Sequence, residues 1–265
     1  MKQPTHYPAK TDTTLGYVQY GSGPTRVLVL HDWLGDHTSY NDVVPFLDGN
    51  TFTYVFADAR GYGQSINLTG EYTVEEMASD CVELIDQLGW AHFHIIGHSM
   101  TGMLTQRLAA NLRSRVTSAI AVCPVSAAGN RLSPEALAFF TSTLESDEAL
   151  RRLFKFVTGG LCDEWVNRKV RQSRETVSPS ARAGYLEMLV TANFVEDVRG
   201  LETPFLVIVG DKDPGLDATA MEHTFLAWHP NAELHVFHGC GHYPMQECPP
   251  RFATVVEAFL TRHSP

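Results

Sequence analysis

Short apolar runs, rich in β-branched and aromatic residues, recur along this chain and alternate with amphipathic stretches. Several runs are apolar at nearly every position, which is typical of parallel strands buried on both faces. They predict strands at residues 25–31, 52–57, 92–97, 118–123, 205–210 and 233–238. Because strands and helices alternate, we expect an α/β fold with a mainly parallel central sheet flanked by helices.

The amphipathic stretches contain the signals that begin and end helices. Residues 73–89 start with the Thr-x-x-Glu pattern of a capping box and stop at a glycine. We expect a second helix directly after Ser99 and a last one from about Pro250 to Thr261.

The alternation stops between about Pro124 and Val198, where the pattern predicts helices only. Each of the four helical stretches has a candidate N-terminal cap: Ser133, Ser146, Asp163 and Ser178. We therefore expect residues 1–124 and 198–265 to form the α/β core and residues 125–197 to form an inserted helical cap. Such an insertion would cover the carboxyl edge of the sheet, where open α/β sheets bind ligands.

The stretch "IIGHSMTG" at residues 95–102 combines the end of a predicted strand, a Gly-x-Ser turn and the start of a helix. This is the context that a nucleophile elbow requires. Such a turn lifts the hydroxyl of Ser99 above the sheet and directs the following backbone N–H groups toward the same point. The pattern favours a serine nucleophile over a turn that merely contains serine.

A serine hydroxyl is a weak nucleophile, so it needs a base, an acid that orients the base, and an oxyanion hole. An acid is available after the strand at 205–210, as Asp211 or Asp213. A base is available at the end of the strand at 233–238, as His238 or His242. The order of serine, acid and histidine is the one that this architecture requires.

Composition and charge narrow the classes of partner. The formal net charge of −10 is poorly suited to nucleic acid or an anionic membrane surface. Five cysteines without a Cys-x-x-Cys pair indicate reduced thiols and a cytoplasmic protein. The segment "MKQPTHYPAK" has no apolar signal-peptide core, and no apolar run approaches the ~20 residues of a membrane span.

The histidines at 92, 94 and 98 are the stretch that most suggests a metal site. They do not all share one face of a strand, and neither a carboxylate nor a thiolate accompanies them. We therefore expect neither a metal nor a cofactor.

Five motifs, "HDWLGD", "DARGYGQS", "GHSMTG", "GDKDP" and "HGCGHYPMQE", follow one another as they do in the α/β-hydrolase superfamily. Over nearly its whole length the chain resembles the single-domain esterase and lactonase branch with a helical cap. The resemblance implies these roles: Ser99 as nucleophile, Asp213 rather than Asp211 as acid, His242 rather than His238 as base, and the backbone N–H groups of Met100 and Trp33 as oxyanion hole.

The chain departs from the family pattern at two positions. Thr101 stands where the usual Gly-x-Ser-x-Gly elbow has its second glycine, which predicts looser packing or a hydroxyl used in the pocket. Asp32 stands where a glycine commonly follows His31. Since a carboxylate beside an oxyanion hole would oppose negative charge, we expect Asp32 to face away or to bond the local backbone.

The resemblance implies a serine hydrolase that cleaves small-molecule carboxylic esters or lactones through an acyl-enzyme. We expect a mainly apolar pocket whose candidate lining residues are His98, Trp165 and Phe139. Two other interpretations stay open. One is a carbon–carbon bond hydrolase or a cofactor-free ring-cleaving dioxygenase of the same fold. The other is a slow-turnover ligand sensor that signals through its lid.

Overall fold

The computed structural model describes residues 5–6 and 14–264, and its strands form one sheet in the order β1-β2-β4-β3-β5-β6-β7-β8. The strands are β1 Thr5–His6, β2 Tyr17–Tyr20, β3 Thr25–Leu30, β4 Phe52–Ala57, β5 Phe93–His98, β6 Val116–Val122, β7 Phe205–Gly210 and β8 Ala232–Phe237. The predicted α/β fold with a mainly parallel sheet is confirmed. All six predicted strands are present, with bounds that differ by two residues at most.

Two strands at the start of the chain were not expected, and they are the antiparallel part of the sheet. β2 pairs antiparallel with β4, and β1 with β2. All four residues of β2 are only half-buried. A strand in this environment does not need the continuous apolar run that is typical of β3 to β7. A strand this short gives a weak periodic signal.

The helices outside the stretch between β6 and β7 are α1 Val74–Gln87, α2 Met100–Asn111, α8 Ala218–Glu222, α9 Phe225–Trp228, α10 Pro244–Glu247 and α11 Pro249–Arg262. Short 3₁₀ helices lie at His37–Tyr40, Val44–Phe46 and Gly63–Ser65. The predicted start of α1 is confirmed: Thr73 accepts a hydrogen bond from Glu76 N, which satisfies a donor that the helix leaves free. The Glu76 side chain accepts from Tyr72 N at 2.8 Å, one residue before the position that a full capping box uses.

Between β6 and β7 the chain is helical, as predicted. The helices are α3 Pro134–Ser142, α4 Asp147–Val157, α5 Asp163–Thr176, α6 Pro179–Thr191 and α7 Val195–Val198. Ser133, Ser146 and Ser178 cap α3, α4 and α6 with side-chain hydrogen bonds. Asp163 is not the cap of α5 but its first residue, one place beyond Cys162. The division into core and cap at residues 124 and 197 stays a prediction.

Within the described residues, no helix has the length and apolar character to cross a membrane. The five cysteines are free thiols. Most of the N-terminal stretch considered for a signal peptide lies outside the described residues.

Candidate active site

Ser99 alone forms the turn between β5 and α2. Its backbone has φ 56° and ψ −109°, a left-handed conformation that residues with a side chain rarely adopt. Two hydrogen bonds from neighbouring segments hold the turn: Ser99 N donates to Val122 O at 2.8 Å, and Val125 N donates to Ser99 O at 3.0 Å. The end of β6 therefore stabilises a turn that would cost about 1–3 kcal/mol alone.

The elbow is tight because α2 lies against the neighbouring backbone at two glycines. A Cβ on Gly97 would lie 2.2 Å from Thr101 O, and a Cβ on Gly102 would lie 2.2 Å from Pro124 Cβ. Both distances are shorter than any real carbon contact, so neither position accepts a side chain unless the backbone moves.

Thr101 is fully buried, and its hydroxyl bonds the backbone of two strands. Its Oγ1 donates a hydrogen bond to His31 O at 2.9 Å and accepts one from His98 N, also at 2.9 Å. The hydroxyl thus fastens the elbow to the end of β3, and it neither loosens the packing nor enters the pocket.

His242 and Asp213 form a buried pair in which His242 Nδ1 lies 2.5 Å from Asp213 Oδ2. A carboxylate can only accept, so Nδ1 carries the proton and the lone pair of the imidazole is on Nε2. Gly215 N donates to the other carboxylate oxygen at 3.1 Å. His242 N donates to Val157 O at 2.9 Å, so the end of α4 fixes the backbone of this histidine.

The charges around the pair favour its ionised forms. Burial alone would lower the pKa of His242, but the charge and hydrogen bond of Asp213, with the charges of Asp32 and Glu247, raise it above 6.5. Burial alone would raise the pKa of Asp213, but His242 and backbone N–H donors lower it below 3.8. Asp213 therefore stays a carboxylate that stabilises a protonated imidazole.

The alternative acid and base lie apart from this pair. Asp211 and His238 contact each other, with His238 Nδ1 3.2 Å from Asp211 Oδ2, and the side chain of His238 is 77% exposed. Asp211 also accepts from Gly239 N at 2.8 Å. Both residues shape the turn after β8, and neither lines the cavity described below.

The two backbone N–H groups predicted to form the oxyanion hole belong to Trp33, in the loop after β3, and to Met100. Met100 is the first residue of α2, where the helix leaves its N–H groups unpaired. Trp33 is held by its other polar groups: its carbonyl accepts from Tyr62 OH and its indole Nε1 donates to Arg182 O, both at 2.9 Å. Neither N–H donates to another described residue.

Ser99, Asp213 and His242 share the wall of one cavity of about 240 Å³. Most of the wall is apolar and comes from the loop after β3, the segment between β6 and β7, and the loop after β7. The cavity-lining residues are Asp32, Trp33, Leu34, Ser99, Val125, Asn130, Leu132, Ala136, Phe140, Leu153, Phe154, Phe156, Val157, Leu189, Asp213, Gly215, Leu216, His242 and Tyr243.

The three residues predicted from sequence to line the pocket do not lie on this wall, which corrects that prediction. His98 is fully buried behind it, and its Nε2 donates to His242 O at 2.7 Å. Trp165 packs edge-on against Tyr243, with ring centroids 5.3 Å apart. Phe140 faces the cavity instead of Phe139, because consecutive helical residues point about 100° apart.

Asp32 meets one of its two alternative expectations. It bonds the local backbone, accepting from Leu34 N at 3.2 Å, but it does not face away, because it lines the cavity. Its Oδ2 accepts from Tyr243 OH at 2.9 Å. Burial would raise the pKa of Asp32, yet the nearby positive charge of Lys169, the two neighbouring histidines and the Tyr243 hydroxyl hold it well below its usual range.

Glu247 is a residue of the site that the sequence analysis did not single out. Its two carboxylate oxygens accept from Gly241 N at 2.7 Å and from Tyr243 N at 2.9 Å, on either side of His242. A glutamate five places after the histidine of "HGCGHYPMQE" was the available signal. It holds the loop that presents the imidazole.

Two sets of side chains bring potential metal ligands together. Asp36, His37 and Asp58 form one set, but its ligand atoms already bond one another and the backbone: His37 Nδ1 lies 2.8 Å from Asp58 Oδ2, and Thr38 N donates to Asp36. The other set is Cys123 with Asp213 and His242, whose pairing is described above. The histidines at 92, 94 and 98 do not form a third set among the described residues.

Residues 27–255 match the family model described as the alpha/beta hydrolase family, and the chain belongs to that family. It is 26% identical to a 3-oxoadipate enol-lactonase of Acinetobacter baylyi over 95% of this chain and 94% of that one. It is 28% identical to a 2-hydroxymuconate semialdehyde hydrolase of Pseudomonas putida, over 81% and 79% of the chains.

Among solved structures, an esterase from Exiguobacterium antarcticum superimposes with a TM-score of 0.83 at 20% identity, covering 93% of this chain and 95% of that one. At this level of identity the likeness shows the fold. The chain is thus an enzyme of the alpha/beta hydrolase family. Because this fold hosts many reactions, the particular reaction depends on the residues of the site.

Proposed function

We propose that this protein is a serine hydrolase that cleaves neutral carboxylic esters or lactones. One observation carries the proposal: the His242–Asp213 pair and the strained Ser99 elbow open onto the same apolar cavity. A residue in a costly backbone conformation beside an oriented imidazole is the arrangement that activates a serine hydroxyl.

In the proposed reaction, His242 Nε2 takes the proton of Ser99 Oγ as the oxygen attacks the carbonyl carbon. Asp213 keeps Nδ1–H in place and stabilises the imidazolium that forms. The N–H groups of Met100 and Trp33 stabilise the tetrahedral oxyanion. His242 then protonates the leaving alcohol, and it later deprotonates the water that releases the acid from Ser99. No cofactor takes part in these steps.

The charges of the cavity support a neutral substrate. Its wall contains the carboxylates of Asp32 and Asp213 and neither lysine nor arginine. An anionic group on the substrate would meet negative charge without a partner, at a cost of several kcal/mol in a poorly solvated site. Phe140, Phe154 and Phe156 supply apolar surface for the acyl group.

The cap and the compartment are part of the same proposal. Phe140 and Phe156 belong to α3 and α4, so we infer that residues 125–197 act as a cap that forms one wall of the substrate pocket. Five free cysteines support a reducing compartment such as the cytoplasm.

Carbon–carbon bond hydrolysis is the second candidate, because the Pseudomonas putida relative is named as a semialdehyde hydrolase. The same triad could serve that reaction. An aspartate in place of Ser99 would have favoured dehalogenase or epoxide hydrolase chemistry, and the elbow of this chain has serine.

The test is hydrolysis of short p-nitrophenyl esters and of a γ-lactone by the wild type and by Ser99→Ala, followed over many turnovers. We expect steady turnover in the wild type and a loss of about 10⁴–10⁶-fold in the variant. A single burst of p-nitrophenol without turnover would favour the ligand sensor instead. Absence of ester and lactone cleavage, with turnover of a ring-fission diketone, would replace the proposal by carbon–carbon hydrolysis.

A further inference from the structure

A charged cluster next to the proposed triad takes no part in the steps above. Asp32 and Lys169 are both almost completely buried, with exposures of 2% and 1%. Lys169 comes from α5 and Asp32 from the loop after β3, so the cluster joins the helices between β6 and β7 to the sheet. Buried charges of this kind are kept only where other groups compensate them.

Ser39 and Tyr243 complete the cluster. The Ser39 hydroxyl lies between the two charges, 3.4 Å from Asp32 Oδ1 and 3.3 Å from Lys169 Nζ. The Lys169 ammonium lies 4.6 Å from the centre of the Tyr243 ring, and the hydroxyl of that ring donates to Asp32 at 2.9 Å. The carboxylate and the ammonium are therefore compensated through shared neighbours, without direct contact.

Asp32 contacts both halves of the proposed catalytic machinery. Its Oδ2 accepts from Leu34 N at 3.2 Å, which fixes the turn that presents the Trp33 N–H. The same oxygen accepts from Tyr243, the residue directly after His242. A shift of this one carboxylate would move an oxyanion donor and the base together.

We propose that Asp32, with Lys169 as its buried counter-charge, is a positioning residue that holds the Trp33 turn and the His242 loop in register. The inference rests on the proposed function, because it assigns the cluster to the same reaction. It also gives α5 a role, since loss of Lys169 would leave the carboxylate uncompensated.

The charge of Asp32 also acts on the imidazole of His242. The pKa of His242 is therefore a measurable quantity that a purely structural role of Asp32 would leave unchanged. Six segments around His242 contribute an ionisable group: Asp32 after β3, His98 of β5, Cys123 after β6, Lys169 of α5 beyond Tyr243, Asp213 after β7, and Glu247 of α10. The negative charge of Asp32 raises the pKa of His242, and the positive charge of Lys169 offsets that of Asp32. Removal of the Asp32 charge should therefore lower the pKa of His242, and removal of the Lys169 charge should raise it.

The test compares Asp32→Asn, Lys169→Met and Tyr243→Phe with Asp86→Asn, a matched control in a surface ion pair with Arg115. We expect Asp32→Asn to lower kcat about 10–100-fold with a much smaller change in KM, because misplaced groups act on the transition state. The acid limb of the kcat/KM profile should move to lower pH in Asp32→Asn and to higher pH in Lys169→Met. In Tyr243→Phe, kcat should fall while the limb stays in place.

Histidine NMR titration of His242 in the same variants separates this inference from the proposed function. If the wild type cleaves no ester, the proposed function fails, and opposite shifts of the His242 pKa in Asp32→Asn and Lys169→Met would still support the coupling. If Asp32→Asn does not fold, Lys169→Met and Tyr243→Phe decide. Wild-type kcat together with an unmoved His242 pKa in the folded variants would overturn the inference.

Discussion

At the scale of single residues, each group of the candidate site is held by contacts from several segments. His242 shows this most fully: Asp213 holds its ring, Val157 O accepts from its N–H, and His98 donates to its carbonyl. Side chains whose rotamers are fixed in this way can keep the sub-ångström geometry that catalysis requires. The imidazole should therefore respond strongly to the loss of one partner.

Asp213→Asn should lower kcat by about 10⁴-fold, because an amide does not hold Nδ1–H toward itself as a carboxylate does. Loss of the charge also lowers the pKa of His242, so the acid limb of the rate profile should move to lower pH. The measurement is kcat/KM against pH for a p-nitrophenyl ester. Asp211→Asn is the matched control and should stay within about threefold of the wild type; an equal loss there would reverse the choice of acid.

At the scale of elements, the elbow depends on how closely α2 approaches β5 and the end of β6. Gly97 and Gly102 allow this close approach. Thr101 is larger than the residue usual at its position, and its hydroxyl forms hydrogen bonds to the ends of the strands. Packing of this density cannot absorb an extra methyl group without strain.

Gly97→Ala should lower the free energy of unfolding by at least about 2 kcal/mol, because the new Cβ would lie 2.2 Å from Thr101 O. Urea unfolding monitored by circular dichroism measures the change. In Gly215→Ala the nearest atom would lie 3.9 Å from the new Cβ, so that variant should keep the wild-type stability. Equal stability of all three proteins would contradict the close approach at the elbow.

At the scale of the whole molecule, electrostatics act on both the substrate and the stability of the fold. The chain has a formal net charge of −10, and the cavity wall carries the carboxylates of Asp32 and Asp213 but neither lysine nor arginine. His94, His98 and His229 are buried, and burial is the main cause that lowers their pKa values, to about 4, about 3 and about 4. The carboxylates of the cavity act on the choice of substrate, and the neutral buried histidines make the stability of the fold depend on pH.

The enzyme should prefer p-nitrophenyl butyrate to mono-p-nitrophenyl succinate by at least about 100-fold in kcat/KM, because the succinate carboxylate would enter a cavity lined by two carboxylates and by neither lysine nor arginine. Part of the difference is long-range repulsion, so 0.5 M salt should reduce it. A preference for the succinate ester would contradict the neutral-substrate proposal.

The protein should lose stability as the pH falls from 7 to 5. The three buried histidines stay neutral in the fold while they gain protons in the unfolded chain below about pH 6.5, so the unfolded state binds more protons. The loss is on the order of 2 kcal/mol for each of these three histidines, and the raised pKa of His242 offsets part of their sum. Urea unfolding at both pH values measures it. His94→Gln should reduce the pH dependence.

Local sequence patterns predict only some of the residues in the site. Ser99, Asp213 and His242 were identifiable because each follows a strand end within a short motif. Asp32 and Lys169 lie far apart in sequence, and nothing local marks either as buried. The pocket residues were mispredicted because neighbouring phenylalanines on α3 differ only in the direction they face.

The sequence by itself determined the α/β alternation, the helical stretch between β6 and β7, and the order of serine, acid and histidine. These follow from periodicity and turn chemistry, which act within a few residues. Only the tertiary structure decided that Asp32 faces the cavity, that Lys169 from α5 compensates it, and that Phe140 rather than Phe139 lines the wall. Such contacts join segments distant in the chain, and burial and charge compensation arise only when those segments pack together.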